Sequence, residues 1–248
     1  MMKGGIKLKI LCIVQARMGS SRLYGKVMKN ICGKTVLEHC INRLKTVKSA
    51  GEIIIATTDL PCDDAICEEG KRLKVNVFRG DEEDVLSRYY YGALAYRGEV
   101  IVRITSDCPL IDSEVTNKVI NYYLKNDFQY VNNTLERTFP RGLDVEVFSF
   151  KTLEETFNNA TIKRDREHVT TYIYNNPQKY KLGCYKSTID YSMHRWTLDT
   201  IEDYQFISKI YEGLYRDKNY FGMMEIINFL NNNPEFLKIN SGIIQKEI

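Results

Sequence analysis

The sequence predicts an α/β fold with a doubly wound, mostly parallel sheet. Four apolar segments of strand length, at residues 10–14, 52–58, 76–78 and 100–105, alternate with segments of helical periodicity. This alternation favours a parallel sheet with right-handed crossovers. In such a sheet ligands bind beyond the carboxyl ends of the strands, so the loops that follow these four segments are the candidate site.

The remaining elements are predicted from helical spacing, capping signals and short alternating runs. Thr35 and Glu38 form a capping box, Asp112 or Ser113 caps a later helix, Thr152 and Glu155 form a second box, and Thr200 caps the last long helix. The predicted helices span residues 36–44, 63–73, 85–94, 114–125, 152–158, 164 onward, 201–215 and 221–231. Short strands are expected at 129–132, 144–148, 180–185 and 193–198.

Composition and charge narrow the class of protein. The 248 residues, 44% of them hydrophobic, are enough for one large domain over residues 1–248, and a net charge of +3 does not favour a general nucleic-acid binder. The first apolar run, about five residues, is shorter than a secretory segment, and no run approaches the ~18 residues of a membrane span. Seven scattered cysteines fit no common zinc or redox spacing. We therefore expect a cytoplasmic protein with reduced cysteines and neither nucleic acid nor membrane as a partner.

The first predicted strand runs directly into a loop of small residues and cations. After Val14 the sequence reads Q-A-R-M-G-S-S-R-L-Y-G-K, which places Arg17, Arg22 and Lys26 among glycines and serines. Backbone N–H groups in such a loop can approach phosphate closely, and the cations neutralise its charge. The spacing is neither that of a Walker A loop nor that of a dinucleotide fingerprint. The loop predicts a polyphosphate site, with a solvated βα connection as the alternative.

Polar residues also follow the other predicted strands. Thr57 and Asp59 lie at the carboxyl end of the second strand. A turn accounts for these residue types there as well as ligand binding does. Four consecutive acids at 81–84 precede a predicted helix, whose N-terminal dipole attracts acids without any metal. Asp107 follows the fourth strand, where a carboxylate is well placed to hold a divalent ion that bridges phosphate oxygens. A cap or turn role is the alternative for Asp107.

The loop sequence resembles the opening motif of cytidylyltransferases that make CMP-activated sugars. The resemblance is greatest to the spore coat polysaccharide biosynthesis protein F group and weaker to 3-deoxy-manno-octulosonate and acylneuraminate cytidylyltransferases. Those loops usually read R-L-P-G-K, and Tyr24 replaces the proline here. The resemblance spans residues 9–207 and includes motifs that begin at Gly80, Ser106, Phe139, Arg166 and Arg195.

The resemblance implies a fold, an activity and an assembly. The fold is that of nucleotide-diphospho-sugar transferases, which is Rossmann-like. The activity is an Mg²⁺-dependent transfer of a nucleoside monophosphate, CMP from CTP, to a sugar or sugar-acid acceptor, with release of pyrophosphate, for surface or spore coat polysaccharide synthesis. An insertion near residues 128–190 would support a homodimer and bind the acceptor.

The resemblance also assigns roles to individual residues. Arg17, Arg22, Lys26 and Asp107 are the expected catalytic residues, and Asp107 and Asp199 are the expected Mg²⁺ ligands. The expected nucleotide-binding set contains the three loop cations and eleven further residues. These are Gln15, Ala16, Gly19, Ser20, Ser21, Thr57, Asp59, Gly80, Asp84, Arg88 and Ser106. The acceptor-binding set is Arg141, Asp144, Glu146, Glu167, His168 and Arg195.

Two other classes of function remain open from the residues alone. A glycosyltransferase that consumes a nucleotide sugar could share the sheet and a metal-holding acid, although it has little use for three cations around a triphosphate. A non-catalytic nucleotide-binding protein could keep the pocket without the chemistry. The spacing of the motifs identifies neither the base nor the acceptor.

Overall fold

The computed structural model describes residues 2–3, 6–215 and 220–245. The strands are β1 Met2–Lys3, β2 Ile6–Lys7, β3 Ile10–Gln15, β4 Asn30–Ile31, β5 Lys34–Thr35, β6 Glu52–Thr58, β7 Asn76–Gly80, β8 Val100–Thr105, β9 Tyr130–Asn132, β10 Glu146–Ser149 and β11 Leu182–Cys184. The α-helices are α1 Val36–Leu44, α2 Asp64–Leu73, α3 Val85–Ala95, α4 Ser113–Lys125, α5 Phe150–Asn159, α6 Lys163–His168, α7 Thr171–Tyr174, α8 Ile201–Leu214 and α9 Met223–Asn232. Across these ranges, no helix is both long and apolar enough to cross a membrane.

The central sheet has seven strands in the order β11-β9-β10-β8-β3-β6-β7. Strands β8, β3, β6 and β7 are parallel, and β10 is antiparallel to both of its neighbours. The predicted α/β class and mostly parallel sheet are confirmed. The strand order reverses at β3, which lies between β6 and β8, and ligands of open α/β sheets bind at such a point.

Strand β3 is buried on both faces, as expected for a central parallel strand. Leu11 and Ile13 pack with α3 and α5 on one face, and Cys12 and Val14 pack with α1, α4 and α8 on the other. Two helical layers therefore fix the strand, and the loop that follows Gln15 starts from a rigid position.

Residues 128–190 extend the same sheet. They supply β9, β10 and β11 on its far side, together with α5, α6 and α7. The homodimer expected from this segment stays a prediction.

The segment 193–198, predicted as a strand, forms one β-bridge instead. Arg141 N donates to the carbonyl of His194 (3.0 Å), and Trp196 N donates to the carbonyl of Arg141 (2.7 Å). The ladder stops there because Gly142, at φ +105°, turns the neighbouring chain away. The strand prediction was wrong, although the bridge still holds residues 195–199 beside Arg141.

Two predicted helix boundaries were also wrong. The N-cap of helix α5 is Ser149, three residues before the predicted N-cap, because Ser149 accepts the backbone N–H of Thr152 (3.0 Å). The helix predicted from residue 164 ends at His168, since the buried Val169 adopts φ +61° and breaks the hydrogen-bonding pattern. Glu167 and His168 therefore lie in the last turn of α6 rather than at a helix start.

We expect Gly142→Ala to destabilise the fold through a backbone contact. A Cβ atom at this position would lie 2.6 Å from the carbonyl carbon of Trp196 and 2.7 Å from the nitrogen of Thr197. The strained φ and this contact together predict a loss of about 3 kcal/mol in unfolding free energy, measurable by urea denaturation.

Gly33 provides the matched control for this substitution. It also has a positive φ, +84°, but nothing described lies within 4 Å of the position that a Cβ atom would take. Gly33→Ala should therefore cost only about 1 kcal/mol. Equal losses in the two variants would contradict the importance of the contact with residues 196–197.

Candidate active site

The cationic loop after β3 is closed by its own backbone. The carbonyl of Met18 accepts the N–H groups of Ser20 (2.8 Å) and Gly25 (2.9 Å). Gly25, at φ +64°, then turns the chain into a 3₁₀ turn that begins at Lys26. This local geometry brings Lys26 back over the end of the sheet.

Lys26 lies between the two aspartates predicted to hold metal. Its Nζ is 2.7 Å from Asp107 Oδ2 and 2.8 Å from Asp199 Oδ1. The two aspartates are also joined through the backbone, because Leu198 N donates to the carbonyl of Asp107 (2.8 Å). Residues from three distant parts of the sequence thus converge on one point.

Burial and charge act in opposite directions on this triad. Burial alone would lower the pKa of Lys26, but the facing carboxylates of Asp107 and Asp199 raise it. Burial alone would raise the pKa of Asp107, but the ammonium of Lys26 and nearby hydrogen bonds lower it. Lys26 and Asp107 are therefore both charged at neutral pH.

Two arginines also contact the carboxylate of Asp199. Arg22 lies 2.9 Å from Oδ1 and Arg195 lies 3.0 Å from Oδ2. Arg195 is held in turn by two hydrogen bonds of 2.9 Å to the buried carboxylate of Asp203. Arg195 was predicted to bind the acceptor, but its guanidinium is occupied by these acids and the residue does not line the cleft.

The C-terminal segment also reaches Arg195, which the sequence did not indicate. Asn240 Nδ2 donates to the carbonyl of Arg195 (3.1 Å) and to Asp203 Oδ1 (3.0 Å). Arg195 further contacts Gln245, which lines the cleft. No local pattern marks Asn240 or Gln245, because their partners are distant in the sequence.

One continuous cleft lies above the carboxyl ends of the strands, in two halves of about 310 and 420 Å³. The smaller half is lined by residues of the loop and the turn after it, of α3 and of the segment after β8, namely Ala16, Arg17, Ser20, Ser21, Lys26, Val27, Val85, Arg88 and Ser106. The larger half is lined by further residues that include Arg103, Tyr130, Arg137, Arg141, Asp144 and Glu146. Both halves share Gln15, Arg22, Thr105, Asp107, Glu167, His168 and Asp199.

Several predicted nucleotide-binding residues do not line this cleft. Thr57 is buried, and its hydroxyl donates to Asp63 (2.8 Å). Asp59 and Gly80 form a backbone hydrogen bond that joins the ends of β6 and β7 (3.0 Å). These residues shape the sheet edge behind the loop.

Asp84 and Gly19 also lie outside the lining. Asp84 caps α3 by accepting the N–H of Ser87 (3.0 Å), and it pairs with Arg166 of α6. At Gly19 a Cβ atom would lie 2.9 Å from a carboxylate oxygen of Glu82, the end of a partly exposed side chain that can move aside.

Arg88 is buried without a partner for much of its guanidinium. It is 2% exposed, and neither Nε nor Nη1 has a hydrogen-bond partner in the part of the chain that the structure describes. Burial lowers the pKa of Arg88. A buried and unpaired cation is costly, so an anion in the smaller half of the cleft would stabilise it.

The larger half contains two internal ion pairs. Arg103 pairs with Glu146, which also accepts the hydroxyl of Tyr130 (2.9 Å). Arg137 forms two hydrogen bonds to Asp144, at 2.6 and 2.9 Å. Arg103 and Arg137 were not among the predicted site residues, although a charged residue inside the apolar strand β8 was a usable signal for Arg103.

Arg141 differs from these paired cations. Within the described ranges no carboxylate forms an ion pair with it, and it faces the larger half of the cleft. Burial and the neighbouring Arg137 lower the pKa of Arg141. Its guanidinium is therefore available to a ligand.

The donor set fits a divalent cation that is shared with phosphate. Asp107 and Asp199 both contact the single ammonium of Lys26, so their oxygens can serve one cation. The described residues contain no cluster of three or more metal-ligating side chains. Mg²⁺ is commonly held by one or two carboxylates, with waters and phosphates completing the octahedron.

Comparison with known proteins places this site in a family. A sequence model described as "Cytidylyltransferase" matches residues 11–232, most of the chain. The chain belongs to the cytidylyltransferase family. The convergence of loop cations and two aspartates therefore lies in a nucleotidyltransferase fold.

Individual relatives are similar over nearly the whole chain. An uncharacterized protein of Methanocaldococcus jannaschii is 42% identical over 96% of this chain and 97% of its own length. The spore coat polysaccharide biosynthesis protein SpsF of Bacillus subtilis is 32% identical over 91% of this chain and 95% of its own length. A solved cytidylyltransferase from Leptospira borgpetersenii superposes with a TM-score of 0.90 at 33% identity, covering 97% of this chain and all of that one.

We expect Asp203→Asn to destabilise this cytidylyltransferase in a pH-dependent way. The substitution removes the fully buried one of the two carboxylates that pair with the Arg195 guanidinium and leaves only Asp199, a change that costs about 3 kcal/mol. Arg195 and other hydrogen bonds outweigh burial and lower the pKa of Asp203. The stabilisation by Asp203 is therefore complete above the unfolded pKa of about 3.9 and is lost as the pH falls through the lower folded value.

Chemical denaturation between pH 7 and pH 2 measures this effect. The gap in unfolding free energy between wild type and Asp203→Asn should be largest near neutral pH and should close in acid. Glu212→Gln, in an exposed pair with Lys209, is the control and should change little. A gap that does not depend on pH would contradict the assigned role of the charge.

Proposed function

We propose that this chain transfers CMP from CTP to a sugar or sugar-acid acceptor and releases pyrophosphate. The observation that carries the proposal is the meeting of Lys26, Asp107 and Asp199 at one point of the cleft. Family membership supports nucleotidyl transfer from CTP. The polysaccharide role in the name of the Bacillus subtilis relative supports a sugar-type acceptor.

In this proposal the smaller half of the cleft holds the nucleotide. Arg17, Arg22 and Lys26 neutralise the β- and γ-phosphates, and Arg88 supplies a further cation from α3. The acceptor hydroxyl attacks the α-phosphorus in line, and the bond from that phosphorus to the β-phosphate oxygen breaks. Such a transfer needs positioning and charge stabilisation rather than covalent catalysis by the protein.

Asp107 and Asp199 are the residues that would hold Mg²⁺. When bound, the ion would neutralise phosphate charge next to the reacting phosphorus. Asp107 is ready for this role because its pKa is lowered, so it is ionised at neutral pH. Lys26 would leave its position between the carboxylates and contact the phosphates.

The larger half of the cleft is proposed to hold the acceptor. Its lining is polar and charged, as a carbohydrate requires, and Arg141 is available to an anionic or hydroxyl-rich ligand. Glu167 and His168 lie at the junction of the two halves, where the acceptor hydroxyl would meet the nucleotide. Asp144 and Glu146 are held by Arg137 and Arg103 and so shape the wall.

The cytoplasm is the compartment that this proposal assigns to the reaction. The seven cysteines all have free thiols in the structure, which agrees with a reducing compartment. A nucleoside triphosphate is also too highly charged to cross a membrane unaided, so enzyme and substrate would share one compartment.

A pyrophosphate-release screen tests the proposed function. The four nucleoside triphosphates are each combined with Mg²⁺ and a panel of sugar acids, sugar phosphates and neutral sugars. We expect release only with CTP and one class of acceptor. Turnover of a nucleoside diphosphate sugar instead would indicate a glycosyltransferase, and binding of CTP without turnover would indicate a non-catalytic nucleotide-binding protein.

We expect Lys26→Met to lower the rate of pyrophosphate release by a factor on the order of 10² or more, because a charge stabiliser is lost. The variant also removes the cation that competes with metal for Asp107 and Asp199. MgCl₂ should therefore raise the Tm of Lys26→Met by more than it raises that of the wild type.

Lys29→Met is the matched control. Lys29 lies three residues further on and packs over the ring of Tyr204, outside the cleft. It should keep the wild-type rate and the wild-type response to MgCl₂. The same rate and Mg²⁺ response in Lys26→Met and the wild type would remove Lys26 from the site.

A further inference from the structure

Asp63 occupies a helix-capping position but does not cap its helix. It directly precedes α2, where an aspartate ordinarily accepts a backbone N–H from the first turn. Its side chain makes no such hydrogen bond. The residue is 1% exposed, so its carboxylate points into the protein interior and not toward solvent.

The Asp63 carboxylate joins the cationic loop to the end of β6. Oδ1 accepts the backbone N–H of Met18 at 2.8 Å. Oδ2 accepts the backbone N–H of Thr58 (3.0 Å) and the hydroxyls of Thr57 (2.8 Å) and Thr58 (2.6 Å). One oxygen therefore holds the loop and the other is anchored to the sheet; Cys62 Sγ adds a longer contact of 3.8 Å to Oδ1.

Met18 is the residue on which the loop closes. Its N–H is fixed by Asp63, and its carbonyl accepts the N–H groups of Ser20 and Gly25. Arg17 precedes this point, and Lys26 follows Gly25. A shift of Met18 would therefore move the cations on both sides of the loop together.

We propose that Asp63 is a positioning residue that fixes the cationic loop in its phosphate-binding geometry. It does not line the cleft and acts through Met18. The assignment of phosphate as the ligand of the loop rests on the proposed function, whereas the anchoring of the loop does not.

Asparagine cannot replace this carboxylate. Each carboxylate oxygen accepts one backbone N–H, from Met18 or from Thr58. An amide has one acceptor oxygen, so in either orientation its NH₂ group faces one of these N–H donors. One buried backbone donor is then left without a partner.

The test measures hydrogen exchange and steady-state kinetics on Asp63→Asn in the full chain. We expect amides in residues 17–25 of the free protein to exchange roughly tenfold faster than in wild type, since one anchoring hydrogen bond is lost. The KM for CTP should rise roughly tenfold while the KM for the acceptor stays unchanged. Asp64→Asn, which alters an exposed carboxylate paired with Arg79, is the matched control and should behave as wild type.

The two measurements separate this inference from the proposed function. If residues 17–25 of Asp63→Asn exchange at the wild-type rate, the inference is overturned. A lower kcat with an unchanged KM for CTP would also overturn it, because a smaller folded fraction alone gives that result. An inactive wild-type protein would count against the proposed function, and the exchange result would still decide the anchoring. If Asp63→Asn does not fold, Thr57→Val decides instead: it removes one hydroxyl donor, and unchanged loop exchange would overturn the inference.

Discussion

The contact of one ammonium with two carboxylates constrains the whole site. Lys26 comes from the loop after β3, Asp107 from the segment after β8 and Asp199 from the residues just before α8. Charges at this depth lose hydration, and ion pairs return only part of that loss. A gain in stability therefore does not account for three charges at one point. A ligand that carries both a metal ion and phosphates would interact with all three side chains.

Strand composition was sufficient to predict the fold and the edge of the sheet at which the site lies. Asp107 and the cationic loop were found because Asp107 and the start of the loop come just after the buried strands β8 and β3. The direction of side chains was not predictable in this way. Thr57 also ends a strand, yet its hydroxyl turns back to Asp63, and Arg195 lies in the right motif but faces Asp203.

Acidic residues near helix N-termini show why the roles of other residues could not be predicted from the sequence. Asp63, Asp84 and Asp203 all lie within a turn of a helix N-terminus, where capping and the helix dipole explain an acid without further function. In the structure Asp84 does cap its helix, Asp63 holds a loop, and Asp203 caps its helix and also clamps Arg195. The residue type is the same in each case, and only the tertiary partner distinguishes the roles.

The antiparallel strand β10 completes the cleft through its register with β8. Glu146 lies directly opposite Arg103, and their ion pair leaves a guanidinium N–H that donates to Gln15 Oε1 (3.0 Å). Because arginine carries only donors, the amide of Gln15 must present its oxygen to Arg103 and its NH₂ group away from it. Gln15 lines both halves of the cleft. A strand outside the parallel core thus fixes a hydrogen-bond donor at the junction where nucleotide and acceptor would meet.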